Sequence, residues 1–526
     1  MYRASSYLYW LVGFSLICLW SLIAFERFPS MLPDLANWKR DPATYTFPPL
    51  NDTQARTRHY QFEITQKTVR IEGIATKLTL INGQFPGPPI HAIHGDTIEV
   101  EFINKGESPT AMHFHGLSMN GTNHMDGFSG LTQCPIRPGR QYTYRFIAAD
   151  TGTYWYHNHY GVDVILGLYG PIIIQARDEE LTYDEEMVIL LSDLYNNRPD
   201  NLIAQYLEPW IGGNEPAPYT SLIQGTQTIV IGHDPLKTYR IRLINASSLL
   251  AYRFYIENLQ LEIDEIDGFA LEPKMVDYIP IATAQRYSFI ISNQSYSGSR
   301  VSASVDQRQV GDVFVKDIAA KFSGKAGQVG YNLDQLFPSD SSDFATFDLN
   351  FKPKRIEKVI HQVDHKVILH ATMLPDKYGV QRPLFNITPF DRPQKGCALL
   401  SEIKGSPHKQ IYDFNTTQAV EIDIYNYDDG PHPFHMHGHK FWVLERGSID
   451  ESGINRAKFP IKRDTVWVDA DQWVKILFIT DNPGIWGFHC HNVWHAEGGM
   501  DYIFISHRNE LLNQERPASW YALCAG

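Results

Sequence analysis

The chain has 526 residues, with 46 Lys or Arg against 59 Asp or Glu, and therefore a formal net charge of −13. No basic stripe runs through this acidic chain, which argues against nucleic-acid binding, and a content of 43% apolar residues excludes global disorder. The unusual count is histidine, with 21 residues distributed unevenly.

An uncharged apolar run of 19 residues, Tyr7 to Phe25, lies near the N-terminus between Arg3 and Glu26. It is longer than the usual core of a secretory signal, and at about 1.5 Å per residue it just spans a bilayer core. We therefore predict an N-terminal apolar helix within residues 1–28 that acts as a signal anchor, with a cleaved signal peptide as the alternative. Either way the rest of the chain enters the secretory pathway, anchored to a membrane or secreted.

Six Asn-x-Ser/Thr sequons agree with export and predict a glycoprotein. The asparagines are Asn51, Asn120, Asn245, Asn293, Asn386 and Asn415.

Beyond a Pro-rich, polar linker at residues 29–57, the pattern is typical of β-strands. Apolar and polar residues alternate with period two in Thr97–Ile103, Tyr239–Ile244 and Ala419–Tyr425, and no long amphipathic helix is evident. The sequence therefore predicts an all-β chain of several sandwiches, and its length is sufficient for about three domains.

An internal repeat defines the domain organisation. Gly152–His159 is similar to Gly484–His491, and a His-x-His-Gly element precedes each of them, at His113 and at His435. A unit at residues 58–180 thus recurs at residues 365–526.

Residues 181–330, between the two units, have strand patterning but a single histidine, His233. We predict a third sandwich there without metal ligands, followed by a linker at residues 331–364.

Four histidine clusters indicate a borderline transition metal such as copper, zinc or iron. In a strand, residues i and i+2 point to the same face, so each His-x-His pair can serve one metal cluster. Between His489 and His491, the thiolate of Cys490 points to the opposite face, where it can serve a second site. The clusters are His113/His115, His157/His159, His432/His435/His437/His439 and His489/His491/His495.

A thiolate, two imidazoles and a weak axial thioether define a blue-copper site. Cys490, His432, His495 and Met500 supply that set. Zinc would favour a closed four-ligand site, which so many histidines distributed over several sites do not match.

These motifs resemble those of multicopper oxidases, in particular the fungal branch of laccases and iron-transport ferroxidases. The resemblance covers about residues 58–524. It is carried by His113–Gly127 with Leu131–Gly139, Trp155–His159, His432–His439 and His489–His495.

The resemblance implies three cupredoxin-like Greek-key β-sandwich domains and four copper ions. His432, Cys490, His495 and axial Met500 would bind the type 1 copper, and His113 and His435 the type 2 copper. The type 3 pair would be bound by His115, His157, His159, His437, His489 and His491. His439 has no ligand counterpart and is interpreted as structural.

The resemblance also implies a disulfide between Cys134 and Cys524, which would join the first domain to the chain end. Cys397 has no evident partner and is interpreted as a buried free thiol, while Cys18 lies in the apolar run.

The implied reaction couples four one-electron oxidations of a donor to reduction of O2 to water, with electrons passing from Cys490 to His489 and His491. Asp126 matches an acid that similar proteins place near the cluster, with a turn residue as the alternative. Iron-oxidising relatives carry a Glu in the fourth motif, where this chain has Val493.

The electron donor is the open question. Glu215 and Asp428 match ferroxidase carboxylates that would bind Fe(II), a hard cation that prefers oxygen ligands, although the neighbouring Asp429 leaves the alignment open by one residue. Val493 and the thioether of Met500 favour a laccase-like oxidase of phenols or aromatic pigment precursors. We therefore expect phenol oxidation, with extracellular ferroxidase as the alternative and copper binding without turnover as a weaker one.

Overall fold

The computed structural model describes residues 45–52, 54–178, 182–292, 298–310, 315–322, 342–360, 362–390, 396–405, 411–450 and 453–525. The predicted N-terminal helix, Cys18, Asn293 and parts of both predicted linkers lie outside these residues. Among the residues inside them, no helix is long and apolar enough to cross a membrane.

The described chain is mostly β, and its strands fall into three consecutive groups, each of which supplies two sheets. The first group is β1 Thr46–Phe47, β2 Thr57–Ile71, β3 Ile74–Ile81, β4 Ile90–Ile93, β5 Thr97–Asn104, β6 Met112–His115, β7 Gln141–Ile147, β8 Gly152–Asn158 and β9 Tyr169–Gln175. Its sheets have the orders β3-β2-β5-β7 and β4-β9-β8-β6, while β1 pairs with the next group.

The second group contains β10 to β20. Its strands are β10 Glu185–Leu194, β11 Thr220–Ile223, β12 Val230–Ile231, β13 Tyr239–Asn245, β14 Tyr252–Ile256, β15 Leu261–Ile266, β16 Phe269–Val276, β17 Ile279–Ile281, β18 Arg286–Ile291, β19 Arg300–Val305 and β20 Ile318–Phe322. They form sheets of order β1-β10-β13-β18-β15-β16, with β11 beside β10, and β12-β20-β19-β14-β17.

The third group contains β21 to β32. Its strands are β21 His365–Pro375, β22 Gln381–Phe385, β23 Ile411–Phe414, β24 Ala419–Asn426, β25 His432–Met436, β26 Phe441–Ser448, β27 Ile454–Arg456, β28 Lys462–Arg463, β29 Thr465–Val468, β30 Gln472–Ile479, β31 Gly484–Cys490 and β32 Asp501–Ser506. They form sheets of order β22-β21-β24-β30-β26-β27, with β28 beside β26, and β23-β32-β31-β25-β29.

The described α-helices are short. They are α1 Pro199–Tyr206, α2 Ser342–Thr346, α3 Ala398–Ile403, α4 Val493–Gly498, α5 Arg508–Asn513 and α6 Ala518–Leu523. Single 3-10 turns cover Asn123–Met125, Asp163–Leu166, Pro209–Ile211, Gln307–Gln309 and Phe347–Asn350.

Period-two alternation is the physical basis of these sheets. In β5 every second residue is buried, so Ile98, Val100 and Phe102 face the core while the residues between them remain partly exposed. In each group, apolar side chains from both sheets contribute to one buried core. The predicted strands at Thr97, Tyr239 and Ala419 are all present, as β5, β13 and β24.

The sequence repeat reappears as a repeat of strand register. His113 in β6 lies opposite His157 in β8, and His435 in β25 lies opposite His489 in β31. The two strand pairs come from the first and third groups, and their histidine ends meet, with the rings of His115 and His435 stacked at 3.7 Å between centroids.

A buried ion pair joins the second group to the third. Arg286 donates two hydrogen bonds to the carboxylate of Asp464, at 2.7 and 2.6 Å, and both side chains are fully buried. Paired, hydrogen-bonded charges of this kind fix a geometry, because removing one partner leaves a buried charge uncompensated.

One sequon does not match the expectation of a glycosylated surface. Asn245 is fully buried, and its amide donates to the carbonyls of Leu250 and Ile281 at 2.8 and 3.2 Å. A glycan on that nitrogen is incompatible with this packing. Asn51, Asn120 and Asn415 are exposed and Asn386 is partly exposed.

Candidate metal centres

Eight histidines from four chain segments converge between the first and third groups of strands, and all of them are buried. They are His113, His115, His157, His159, His435, His437, His489 and His491. Three overlapping triads have ring nitrogens within 4.8 Å of one another: His113/His115/His157, His113/His435/His437 and His159/His437/His489.

The donor atoms fit metal ions. One ring nitrogen each of His113, His115, His157 and His435, and both nitrogens of His491, are buried without a hydrogen-bond partner. A buried polar atom without a partner costs about 1–3 kcal/mol, so this many in one place are best explained as metal ligands.

The protonation states also suit metal binding. Burial, together with the neighbouring imidazoles, lowers the pKa of six of these histidines well below the usual value. These are His115, His157, His159, His435, His437 and His491. The rings are therefore neutral at physiological pH, which is the form that binds a metal.

Two buried aspartates, Asp126 and Asp464, orient four of these rings. Nδ1 of His437 donates to Asp126 at 2.9 Å, and Nδ1 of His113 donates to the backbone carbonyl of Asp126 at 2.7 Å. Likewise, Nε2 of His115 donates to the carboxylate of Asp464 at 3.2 Å, and Nδ1 of His435 donates to the backbone carbonyl of Asp464 at 2.9 Å. Each contact fixes the ring orientation and leaves the other nitrogen facing the cluster.

A second centre lies on the other face of β31. Sγ of Cys490 is 3.4 Å from Nδ1 of His432 and 3.5 Å from Nδ1 of His495, and these two nitrogens are 3.0 Å apart. Met500 is fully buried beside them. Its backbone amide donates a hydrogen bond to the carbonyl of His495 at 3.0 Å, and its carbonyl accepts one from the amide of Cys490 at 3.2 Å. The sequence predicted these four residues together as a blue-copper set.

The thiol of Cys490 has a lowered pKa. Burial alone would raise its pKa, but His432 and His495 lower it to about 7. The thiolate in turn raises the pKa of both histidines against the opposing effect of burial. A soft thiolate between two imidazoles favours copper over harder cations.

The two centres are covalently linked, because Cys490 lies between His489 and His491 at the end of β31. Cys490 is registered opposite Phe434 and His489 opposite His435. Consecutive residues of the strand thus point to opposite faces, one toward each centre.

Carboxylates flank the outer side of the cysteine centre. Nε2 of His495 lies 2.7 Å from Oε1 of Glu215, and Nε2 of His432 lies 3.1 Å from Oδ2 of Asp428. The side chains of Glu215 and Asp428 are 23% and 11% exposed, so they link a buried ring to the surface. Asp429 is exposed, and the described contact to His432 comes from Asp428.

Val493 lies at the start of α4 beside a small cavity of about 30 Å³. Four of the clustered histidines line the cavity, and Glu497, one helical turn after Val493, lines it as well. The apolar residue noted in the fourth motif therefore faces the histidine cluster.

Sequence reasoning missed several residues that position these centres. Asp464 and Arg286 support His115, Phe128 packs on His159 at 4.1 Å between centroids, and Asn492 donates to Glu215 at 3.0 Å. The sequence carries only a weak signal for Asp464, which stands as a single acidic residue ahead of the run Thr465–Val468.

The remaining predicted residues lie as follows. Cys134 and Cys524 form a disulfide, and Cys397 is a buried thiol nearby. His439 is buried between Phe478 and Trp486, with Nδ1 donating to the carbonyl of His437 at 3.2 Å. This packing agrees with a structural role for His439.

Comparisons with known proteins agree with this geometry. Three family models, each described as multicopper oxidase, match residues 63–179, 185–300 and 380–510. The iron transport multicopper oxidase FET3 of Gibberella zeae is 32% identical over 484 residues, which are 86% of this chain and 76% of that protein. FET3 of Kluyveromyces lactis is 30% identical over 518 residues, 93% of this chain and 80% of that protein.

Two solved structures are similar in fold. The crystal structure of Fet3p, a multicopper oxidase that functions in iron import, has a TM-score of 0.81 and 27% identity, and the match covers 89% of this chain and 94% of that one. The laccase from Botrytis aclada has a TM-score of 0.74, with 91% and 92% covered; at 23% identity, this likeness concerns the cupredoxin-like fold alone.

Proposed function

Because this chain belongs to the multicopper oxidase family, we propose that it is a ferroxidase, which oxidises Fe(II) to Fe(III) and reduces O2 to water. Fe(II), the alternative donor considered from the sequence, thus replaces a phenol as the favoured donor. Relatives named as iron transport multicopper oxidases support the preference for Fe(II), as do the two carboxylates beside the cysteine centre.

Four copper ions would supply the one-electron redox chemistry, one bound by the cysteine centre and three by the histidine cluster. The assignment of ligands stays as predicted. For the type 1 ion they are His432, Cys490, His495 and Met500, and for the type 2 ion His113 and His435. For the type 3 pair they are His115, His157, His159, His437, His489 and His491.

The observation that carries the iron hypothesis is the contact of each carboxylate with a histidine of the cysteine centre. Fe(II) prefers oxygen ligands, and the carboxylate side chains of Glu215 and Asp428 are partly exposed. An ion bound there would be one histidine ring away from Cys490. The carboxylates bind and orient the donor, and the rings of His495 and His432 connect it to the thiolate.

At the histidine cluster, where O2 would be reduced, two aspartates hold the metal-binding rings in fixed orientations. Asp126 accepts hydrogen bonds from His113 and His437, and Asp464 accepts them from His115 and His435. Both aspartates are fully buried, and each orients one ring through its carboxylate and one through its backbone carbonyl. The expected role of Asp126 with protons stays a prediction.

Phenol oxidation is the second candidate, and exposed aromatic side chains support it. Trp210, in the 3-10 turn five residues before Glu215, is 78% exposed, and Tyr427, next to Asp428 in the chain, is 49% exposed. Aromatic surfaces beside a carboxylate suit a phenolic donor whose proton the carboxylate accepts.

We also propose that the chain works outside the cytoplasm, anchored through its N-terminal segment or secreted. The Cys134–Cys524 disulfide and the exposed or partly exposed sequons support an oxidising, glycosylating compartment.

The deciding experiment is O2 uptake by the copper-loaded protein with Fe(II) or with a phenol as the only donor. We expect a higher kcat/KM with Fe(II). A higher value with the phenol would favour the second candidate, and blue, copper-loaded protein without O2 uptake on either donor would indicate a copper-binding protein without turnover.

A further inference from the structure

Three sulfur atoms meet at one point of the fold, far along the chain from one another. The Sγ atoms of Cys134, Cys397 and Cys524 lie within 4.8 Å of one another. Cys134 and Cys524 form a disulfide across 390 residues, and Cys397 is a thiol. We call these residues the sulfur cluster.

The chain segments around the sulfur cluster are fastened to one loop. At the start of α3, the backbone amides of Ala398 and Leu399 donate to the carbonyls of Gly130 and Leu131, each at 2.9 Å. From α6, the indole of Trp520 donates to the carbonyl of Thr132 at 3.0 Å. Both elements that bring a sulfur to Cys134 are thus docked on the residues just before it.

Burial distinguishes the three sulfurs. Cys134 and Cys397 are buried, whereas Cys524, two residues before the chain end, is partly exposed. A pairing of Cys134 with Cys397 would therefore place the two buried cysteines in one bond and leave the partly exposed Cys524 as a thiol.

We propose that Cys397 exchanges with the Cys134–Cys524 disulfide and thereby makes Cys524 a surface thiol that small disulfides modify. The Cys397 thiolate attacks Sγ of Cys134, so a Cys134–Cys397 bond forms as the Cys134–Cys524 bond breaks. Cys524 leaves as a thiolate and takes up the proton that Cys397 lost, with no net oxidation. Oxidised glutathione then gives a mixed disulfide at Cys524 and one reduced glutathione.

The resting fold keeps this exchange slow. Burial raises the pKa of Cys397 to about 12, although the amides of Leu399 and Leu400 and the charges of Arg516 and Lys404 oppose that effect. The thiolate is the nucleophile, so it is scarce at neutral pH, which accounts for the persistence of the Cys134–Cys524 pairing.

The first test uses a Cys524→Ser variant of the full, copper-loaded protein. In air, with O2 as the two-electron oxidant, the two remaining thiols of the cluster are expected to pair. Alkylation after denaturation then labels neither Cys134 nor Cys397, and peptide mapping finds them linked. In the control Cys397→Ser/Cys524→Ser, Cys134 must be labelled. Retained blue absorption shows that each variant is folded. Full labelling of Cys134 and Cys397 in folded Cys524→Ser protein overturns the proposal.

The second test uses the unsubstituted sulfur cluster and does not depend on the folding of that variant. Copper-loaded protein is incubated with oxidised glutathione and a trace of the reduced form, and is then mapped. Chains with a Cys134–Cys397 link and glutathione on Cys524 are expected. About tenfold fewer modified chains are expected with Cys397→Ser. In that variant, reduced glutathione that opens the disulfide at Cys524 leaves a Cys134 thiolate, which re-forms the Cys134–Cys524 bond and expels the glutathione. Equal modification of both proteins, or none, rejects the exchange.

Discussion

Oε1 of Glu215 lies 2.7 Å from Nε2 of His495, although the two residues are 280 positions apart and belong to different groups of strands. The inner nitrogen of the same ring faces Cys490 at 3.5 Å. One imidazole therefore separates a partly exposed carboxylate from the buried thiolate. This contact makes the surface at Glu215 the expected place where a donor delivers its electron.

Replacing Glu215 by Gln removes the charge but keeps an oxygen that accepts from Asn492. We expect KM for Fe(II) to rise by about 10–100-fold, the range typical for losing a supporting group of a metal site, while phenol oxidation changes little. Steady-state O2 uptake with each donor measures both. Glu208→Gln, with the same change of charge earlier on the loop, is the control. An equal loss in the control would point to a general charge effect.

Asp428 and Asp429 make a matched pair for the second carboxylate. Asp428→Asn is expected to weaken Fe(II) oxidation by about 10-fold or more, because Asp428 contacts Nε2 of His432 at 3.1 Å. Asp429→Asn should leave Fe(II) kinetics nearly unchanged, since Asp429 is exposed. Measurement of kcat/KM for Fe(II) in both variants shows which carboxylate binds the donor. A larger loss with Asp429→Asn than with Asp428→Asn would assign the site to Asp429.

Asp464 is expected to matter for stability more than any exposed acid. Asp464→Asn removes the carboxylate that accepts two hydrogen bonds from the buried Arg286 and leaves only Asp267, at 3.5 Å, to balance its charge. Breaking a buried pair typically costs about 3–5 kcal/mol, and the substitution also loosens the support of His115. Chemical unfolding followed by tryptophan fluorescence, together with the copper content, measures the loss. The exposed Asp471→Asn serves as the control, with a change of about 0.5 kcal/mol or less. A comparable midpoint for both variants would contradict the role given to the ion pair.

The Asp163 carboxyl predicts an unusual pH dependence. Burial raises its pKa to about 6, so the folded state disfavours the charged form. In the unfolded chain the pKa is near 3.9, and Asp163 therefore lowers stability above pH 6, an effect that fades as the pH falls from 6 to 4. Asp163→Asn should raise the Tm at pH 7 and change it little at pH 4, with a gain at pH 7 of up to about 2 kcal/mol. An equal gain at both pH values would show that the charge is not the cause.

Met500 provides a test of the cysteine centre that does not depend on the donor. Met500→Leu removes the thioether that the axial position is expected to supply, and the reduction potential of the blue site should rise. A redox titration of the blue absorption measures the change. An unchanged potential, with copper content intact, would argue against Met500 as the axial ligand.

The sequence by itself determined the local features of this protein. Alternation of apolar and polar residues predicted the strands at Thr97, Tyr239 and Ala419, because a pleated strand buries every second side chain regardless of its partners. The same rule placed Cys490 on the face opposite His489 and His491. The motifs also identified the family, since their spacing reflects ligand geometry within single strands.

Only the tertiary structure decided which distant residues meet. The packing of sheets and loops decides three contacts of the site. They are those of Asp428, rather than Asp429, with His432, of Glu215 with His495, and of Asp464 with His115. The burial of Asn245 and the approach of Cys397 to the disulfide have the same origin. Such contacts leave no periodic trace in the sequence, because they join chain segments that lie up to hundreds of residues apart, whereas the strand period is local.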